Sequence, residues 1–239
     1  MTGLTTTPFG DAAVMITGVA EPGARERVRA VGRALERRMP HGVTELVAGL
    51  DSLLVRFDPL RTGPESVEDV VRLLVETTGA DTVSPAEGRT FTIPVVFDAG
   101  AGPDLESVAM ELEQSVEDLV ATVTDTVFDV VLLAAGMAPM MEGGRFDRPV
   151  RRAAQPRTNV PAGSIMIAGQ NAIIQPFPGP TGWRVIGRTP HVVVDIARDD
   201  AAAILPGDRI RYRAVDRDEA EVIGAAFLRP DDESTGAPR

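Results

Sequence analysis

Residues 160–190 read VPAGSIMIAGQNAIIQPFPGPTGWRVIGRTP, and no other segment constrains the architecture as closely. The β-type runs 164–168, 172–174 and 183–186 are short, and glycine or proline separates each from the next. Such runs are too brief for helices and predict many short strands joined by tight turns, as in a closed β-barrel. The same texture begins at Gly136 and continues through 192–195 to 209–212. Upstream, residues 129–135 form a strongly apolar strand. Two short helices precede it, one starting at Pro103-Asp104, the other capped by Ser115 with Glu117 and Asp118 in its first turn.

The first ninety or so residues read differently. An apolar run at 12–16 is followed by Pro22-Gly23 and a helix whose Val28, Val31 and Leu35 recur at helical spacing, until Pro40, His41 and Gly42 stop it. Residues 44–48 and 52–57 are strand-like around a Gly49-Leu50-Asp51 turn. Asp58-Pro59 and Gly63-Pro64 then precede a second helix expected to bury Val67, Val70, Val71, Leu74 and Val75, and residues 91–97 return as a strand. The order β-α-β-β-α-β predicts a split βαβ, ferredoxin-like domain. The expected fold is therefore α+β: a ferredoxin-like domain over 1–88, a β-barrel over 89–215, and an acidic, loosely held tail over 216–239.

Composition excludes more than it suggests. The 239 residues carry a net charge of −11, which disfavours nucleic acid and acidic membranes as partners. No apolar run is long enough to span a bilayer, and the opening MTGLTTTPFGDAA has no charged-then-apolar pattern, so a cytoplasmic protein is expected. Cysteine and lysine are both absent, which removes thiolate nucleophiles, thiolate metal sites, Schiff bases and the P-loop lysine. Only His41 and His191 could act as imidazoles, and their spacing fits no metal motif. His41 reads as a turn residue and His191 as a strand-end residue. Ser164 lacks a nucleophile elbow.

Several strings occur in one order: GDAAVMI at 10–16, HGVTELVAGLDSLLVRFDP at 41–59, IPVVF at 93–97 with GPDLESVA at 102–109, VPAGSIMIAG at 160–169, GWRVIGRTP at 182–190 and LPGDRIRYR at 205–213. Together they resemble the 5-oxoprolinase B-subunit family, also called the KipI or allophanate hydrolase subunit 1 family, from residue 9 to residue 212. The resemblance implies a ferredoxin-like domain followed by a cyclophilin-like β-barrel. It also implies pairing with a second barrel subunit in ATP-dependent opening of 5-oxoproline or related amide chemistry. One branch of the family instead inhibits a sporulation histidine kinase, and related domains occur in urea carboxylase. The chain departs from the pattern at defined places. Val123 stands at a usual histidine. Residues 134–144, AAGMAPMMEGG, replace an aromatic-rich loop, with Ala135 or Met137, and Met140 and Met141, in place of its rings. Met166 and Ile173 stand at usual glycines, Asn171 at a glutamine and Gln175 at a tyrosine.

Those changes define the candidate site. Four of the eight methionines, Met137, Met140, Met141 and Met166, fall in one short window, and methionine moulds well around irregular apolar ligands. The expected substrate-binding set is Val123, Met137, Met140, Met141, Met166, Ile173, Trp183, Arg184 and Arg188, with side chains that merely fill the barrel as the alternative. Glu142, Asn171 and Gln175 are the catalytic candidates; Asp129 and Asp147 read as surface charges. A pocket poor in titratable groups loses the roughly 10²–10⁴-fold of acid–base catalysis but still orients a substrate. The favoured reading is thus an isomerisation or cyclisation of an apolar small molecule, in specialised metabolism, without cofactor, metal or ATP. The alternatives are a subunit of an ATP-dependent 5-oxoprolinase- or allophanate hydrolase-type complex, or a kinase-inhibitor-like regulator; the expected protein partner is a C-subunit-like chain or further copies of this chain as a homo-oligomer. Arg145, Arg148, Arg151, Arg152 and Arg157 crowd one loop that either clamps a carboxylate or an acidic partner or is simply solvated.

Overall fold

The computed structural model describes residues 3–18, 23–77 and 88–234. The chain divides into two compact units, residues 1–85 and 86–239.

In the first unit, β1 (Leu4–Pro8) and β2 (Ala13–Gly18) precede helix α1 (Ala24–Arg37). Strands β3 (Val43–Ala48) and β4 (Ser52–Phe57) then lead to α2 (Pro64–Thr77). The strands form one antiparallel sheet in the order β1-β2-β4-β3. Alternation along β2 and β4 sends Val14, Ile16, Leu53, Val55 and Phe57 to one face, where Val28, Val31 and Leu35 of α1 and Val67 and Val71 of α2 cover them. Val70 and Leu74 are partly buried against this core, and the side chain of Val75 lies outside the described residues. The expected β-α-β-β-α-β order is not realised. Leu4–Pro8 pairs beside β2, and the run at 91–97, expected to close this sheet, belongs to the second unit. Its partner there is 119 residues further along the chain, as Arg209↔Thr90 records, so local pattern had no means of assigning it.

The second unit begins with β5 (Thr90–Val95), α3 (Leu105–Glu111), α4 (Val116–Asp125), β6 (Val127–Ala134) and β7 (Ala138–Glu142). There follow β8 (Arg157–Val160), β9 (Ser164–Ala168), β10 (Asn171–Ile174), β11 (Gly179–Thr181), β12 (Arg184–Arg188), β13 (Arg209–Ala214), α5 (Arg217–Ile223) and α6 (Asp231–Ser234). Ser115 caps α4 as expected, its Oγ accepting from the Asp118 N–H at 3.0 Å. Seven strands form one sheet, β12-β9-β10-β7-β6-β13-β5, which curls as a half-barrel until its two edges meet. They meet at a single antiparallel bridge: the Val96 N–H donates to the Arg188 carbonyl at 2.9 Å and the Arg188 N–H to the Val96 carbonyl at 3.0 Å. Strands β8 and β11 form a separate ribbon.

One face of the large sheet is filled. Phe91, Ile93, Phe128, Met141, Ile165, Ile167, Ile174, Ile186, Ile210 and Tyr212 pack into one cluster with Leu105 and Val108 of α3 and Leu119 and Val123 of α4. The Phe128 and Tyr212 rings lie 5.5 Å apart at a tilt, and the Tyr212 hydroxyl donates to Met141 Sδ at 3.6 Å. Burial pushes the Tyr212 pKa upward, so the phenol stays neutral. Two expectations change here. Residues 192–195 form no strand; Val192 and Val194 make isolated bridges to Phe227 and Ala202. The segment after 215, expected as a loose tail, is anchored as far as it is described: α5 is capped by Asp216, and Leu228 is buried in the core with its N–H on the Val192 carbonyl at 2.9 Å. Its apolar residues are few, but they find partners far back in the chain.

Candidate functional site

The opposite face of the sheet is where side chains remain available. Alternation and register fix which residues share it. Met140 pairs with Ile173, Ile173 with Met166, and Met166 with Val185, so these four form one row across β7, β10, β9 and β12. Val160, Met166 and Val185 form a small buried cluster with Ile173 and Trp183 against it. Arg188 pairs directly with Ser164, which places both side chains on this same face, further along β12 and β9.

At that end lies a cavity of about 770 Å³. Its walls come from the loop Gly100–Ala101–Pro103, from residues 156–161, from Ser164, from Val185 with Arg188–Thr189–Pro190, and from Arg217, Ala220 and Glu221 of α5. Two glycines make the wall possible. Gly163 holds φ +80°, with its carbonyl accepting from the Thr189 N–H at 2.9 Å, and a Cβ there would sit 2.5 Å from the Thr189 carbonyl oxygen. A Cβ on Gly102 would overlap the Ile186 carbonyl.

The charges around the cavity are mostly spoken for. Asp104, buried at the start of α3, accepts from Arg157 Nη2 at 2.7 Å and Nε at 3.1 Å and from the Val185 N–H at 2.9 Å; Arg184 Nε lies 3.8 Å away. Burial alone would raise the Asp104 pKa, but the Arg157 and Val185 hydrogen bonds and the two guanidinium charges outweigh it and hold it below the ordinary carboxylate range. Glu111 behaves alike. Burial opposes its charge, yet the Arg151 N–H and side chain and the Arg184 guanidinium keep its pKa low. Arg217 grips Asp98 at 2.6 and 2.9 Å, and this grip holds the Asp98 pKa down. Arg188 differs: its Nε donates to the Ala162 carbonyl at 3.1 Å, and among the described residues it has no carboxylate partner. Ser164 is 1% exposed and its Oγ has no hydrogen-bond partner.

The structure separates the residues expected to bind substrate. Val123 and Met141 are in the filled core, and Met137 packs against it. Met140, Met166, Ile173 and Trp183 share the opposite face or its small cluster, but they do not line the cavity. Arg184 braces Asp104 and Glu111. Arg188 alone of the set lines the cavity. Of the catalytic candidates, Gln175 donates its Nε2 to the Phe177 carbonyl at 2.8 Å, while Glu142 and Asn171 lie half-buried on β7 and β10. Asp129 and Asp147 are exposed. His41 is exposed, and His191 Nδ1 is 3.1 Å from the Ala226 carbonyl. Ser164, Asn159, Thr189 and Arg217 line the cavity without having been singled out for binding. For Ser164 and Thr189 the signal lies in the strings PAGS and GRTP, which converge here; Asn159 and Arg217 lie outside the quoted strings and carry no such signal. Within the arginine loop, Arg148, Arg151 and Arg157 pair with Glu113, Glu111 and Asp104, so the carboxylates they clamp belong to this chain. Among the described residues, no group of His, Cys, Asp or Glu side chains is arranged to hold a metal ion, and no helix is long and apolar enough to cross a membrane.

The half-barrel sheet with its capping helices is of the carboxyltransferase-like class, and comparison with known proteins agrees. A family model described as carboxyltransferase domain, subdomain C and D, matches residues 4–204. The chain is 27% identical over 207 residues to the 5-oxoprolinase B-subunit of Haemophilus influenzae, covering 86% of this chain and 95% of the relative. It is 31% identical to that of Escherichia coli O157:H7, over 73% and 78% of the two chains, and 30% identical to that of Bacillus subtilis, over 85% and 90%. Among solved structures, PH0987 from Pyrococcus horikoshii is similar at 31% identity and TM-score 0.53, covering 90% of this chain and 99% of that one. TTHA0988 is similar at 28% identity and TM-score 0.70, covering 86% and 40%. The Kluyveromyces lactis urea carboxylase, at 18% identity and TM-score 0.74 over 92% of this chain and 22% of that one, shares the fold. The chain belongs to the carboxyltransferase-domain family and stands within it as a diverged relative of the 5-oxoprolinase B-subunits.

Proposed function

We propose that this chain is one component of an ATP-dependent amide-hydrolysing complex of the 5-oxoprolinase type, acting with a second, C-subunit-like chain. The observation that carries this reading is where the family strings meet: Val160, Pro161 and Ser164 of VPAGSIMIAG face Val185, Arg188, Thr189 and Pro190 of GWRVIGRTP across the 770 Å³ cavity, with Pro103 of GPDLESVA beside them. Its polar groups, Arg188, Ser164, Asn159 and Thr189, are suited to holding a substrate. They are not suited to moving protons at neutral pH. Among the described residues that line the cavity, Glu221 is the sole carboxylate and there is no histidine. A positioned acid or base contributes about 10²–10⁴ in rate, so the partner chain completes the catalytic set.

The reading as an orientation-driven isomerase or cyclase has no observation in its favour. It required an apolar interior with room for a guest, whereas Val123 and Met141 are packed among core side chains. The test is co-production with a C-subunit-type partner and assay of 5-oxoproline with ATP, following ADP and glutamate. Turnover with both chains present and not with either alone is the expected result. No turnover by the assembled pair, in the presence of ATP and magnesium, refutes it.

A further inference from the structure

We infer that the Arg188–Ser164 pair forms an anchor for a small carboxylate at the floor of this cavity; the inference deepens the proposed function and rests on the cavity being its substrate site. Three observations converge. First, the cavity's other two arginines are already neutralised in two-point contacts, Arg157 by Asp104 and Arg217 by Asp98. Arg188 has only one neutral contact, through Nε, so both terminal nitrogens are open to a ligand. A guanidinium with its terminal edge open matches a planar carboxylate with two parallel hydrogen bonds.

Second, Ser164 is the direct cross-strand neighbour of Arg188, so its side chain stands beside the guanidinium stem on the cavity face. Its Oγ is buried without a partner, an arrangement that folded proteins avoid unless something else satisfies it. A hydroxyl can donate to the carboxylate or to a second polar group on the ligand. Third, both backbones are held. Arg188 is bridged to Val96, and the Thr189 N–H donates to Gly163 at 2.9 Å, immediately before Ser164. The anchor is therefore rigid at its base, which lowers the ordering cost of binding.

The test uses the full chain and four probes: 5-oxoproline, its neutral primary amide, cyclopentanecarboxylate and inorganic phosphate, each titrated by calorimetry. Both carboxylates are expected to bind, with the amide at least about tenfold weaker. Arg188→Gln is expected to weaken carboxylate binding at least about tenfold, with Arg188→Lys recovering part of it. Ser164→Ala is expected to weaken binding about threefold or more while leaving the melting temperature unchanged or higher, because it removes an unsatisfied buried hydroxyl. A residue serving packing alone would lower the melting temperature and leave affinity intact. Equal binding of the amide, tighter binding of phosphate, undiminished binding by Arg188→Gln, or no carboxylate binding at millimolar concentration overturns the anchor. The two proposals fail separately: carboxylate binding without turnover of the assembled pair removes the function and keeps the anchor, and turnover that Arg188→Gln leaves unchanged does the reverse.

Discussion

Replacing Asp104 with asparagine tests the network that shapes the cavity wall. The contact with Arg157 is partly solvated, with 41% of that side chain exposed, so its loss alone costs about 0.2–1 kcal/mol. The larger effect is inside. Asparagine keeps the shape but offers one acceptor where the carboxylate offered two, and its amide group faces the Arg157 guanidinium or the Val185 N–H. One buried donor is then unsatisfied, at a cost of about 1–3 kcal/mol, and Arg184, 13% exposed, keeps only Glu111 as a counter-charge. Together these amount to about 1–4 kcal/mol, or a fall of roughly 2–16 °C in the melting midpoint for a unit of this size. The sign with pH is fixed by the direction of the Asp104 shift. A carboxylate held below its unfolded pKa of about 3.9 stabilises the fold above that value and loses the contribution as pH falls through the folded one. The gap between the parent and Asp104→Asn is therefore full at neutral pH and narrows below about pH 4. Trp183, the single tryptophan, adjoins Arg184 and reports this unit by fluorescence during thermal melts. A midpoint change under about 1 °C at neutral pH, or a gap that persists undiminished to about pH 3, refutes the reasoning.

Adjacent methionines should behave differently: Met141→Ala, fully buried beneath Tyr212, is expected to cost about 2–5 kcal/mol by urea denaturation and Met140→Ala under about 1.5. Val123→His, which introduces the histidine that the family resemblance implies at this position, places an imidazole at a 1% exposed core position; a loss of about 2 kcal/mol or more without gain of hydrolysis is expected in the same denaturation and an amide-hydrolysis assay. Gly163→Ala should cost about 1–3 kcal/mol through its positive φ and its approach to Thr189, read as a lowered melting temperature. Leu228→Ala should cost about 2–5 kcal/mol, a result that a loose tail would not give.

The sequence is legible where structure is local. The spacing of Val28, Val31 and Leu35 locates α1, and Gly49-Leu50-Asp51 locates the β3–β4 hairpin. It is opaque where pairing is distant or patterning is polar. LTTTP at 4–8 has no apolar alternation to mark a strand, and β5 pairs with a strand from the other end of the unit. In a strand, neighbours point to opposite faces, so Met140 and Met141 could not both line one pocket. Applied to β7, that rule sends one methionine to the core and the other to the face carrying Met166 and Ile173. Replacements read together from a resemblance thus divide between two sides of one sheet.

Arginine does two different jobs on the cavity wall. With no lysine in the chain, every fixed cation is a planar fork able to grip a carboxylate at two points. Around the cavity wall the chain supplies its own carboxylates for those forks: Asp104 for Arg157, Glu111 for Arg151 and Arg184, Asp98 for Arg217. Each pair ties separate segments together, since Asp104 and Glu111 sit on or beside α3 while their partners come from β8, β12 and the 145–157 loop. A guanidinium committed in this way is a strut, because moving it toward a ligand leaves a partly buried acid without its counter-charge. Arg188 carries no such commitment, and its main chain is fixed by the bridge that joins the two edges of the sheet. Rigidity at the backbone with an open side-chain edge is what separates a binding arginine from a bracing one, and on this wall the distinction falls on a single residue.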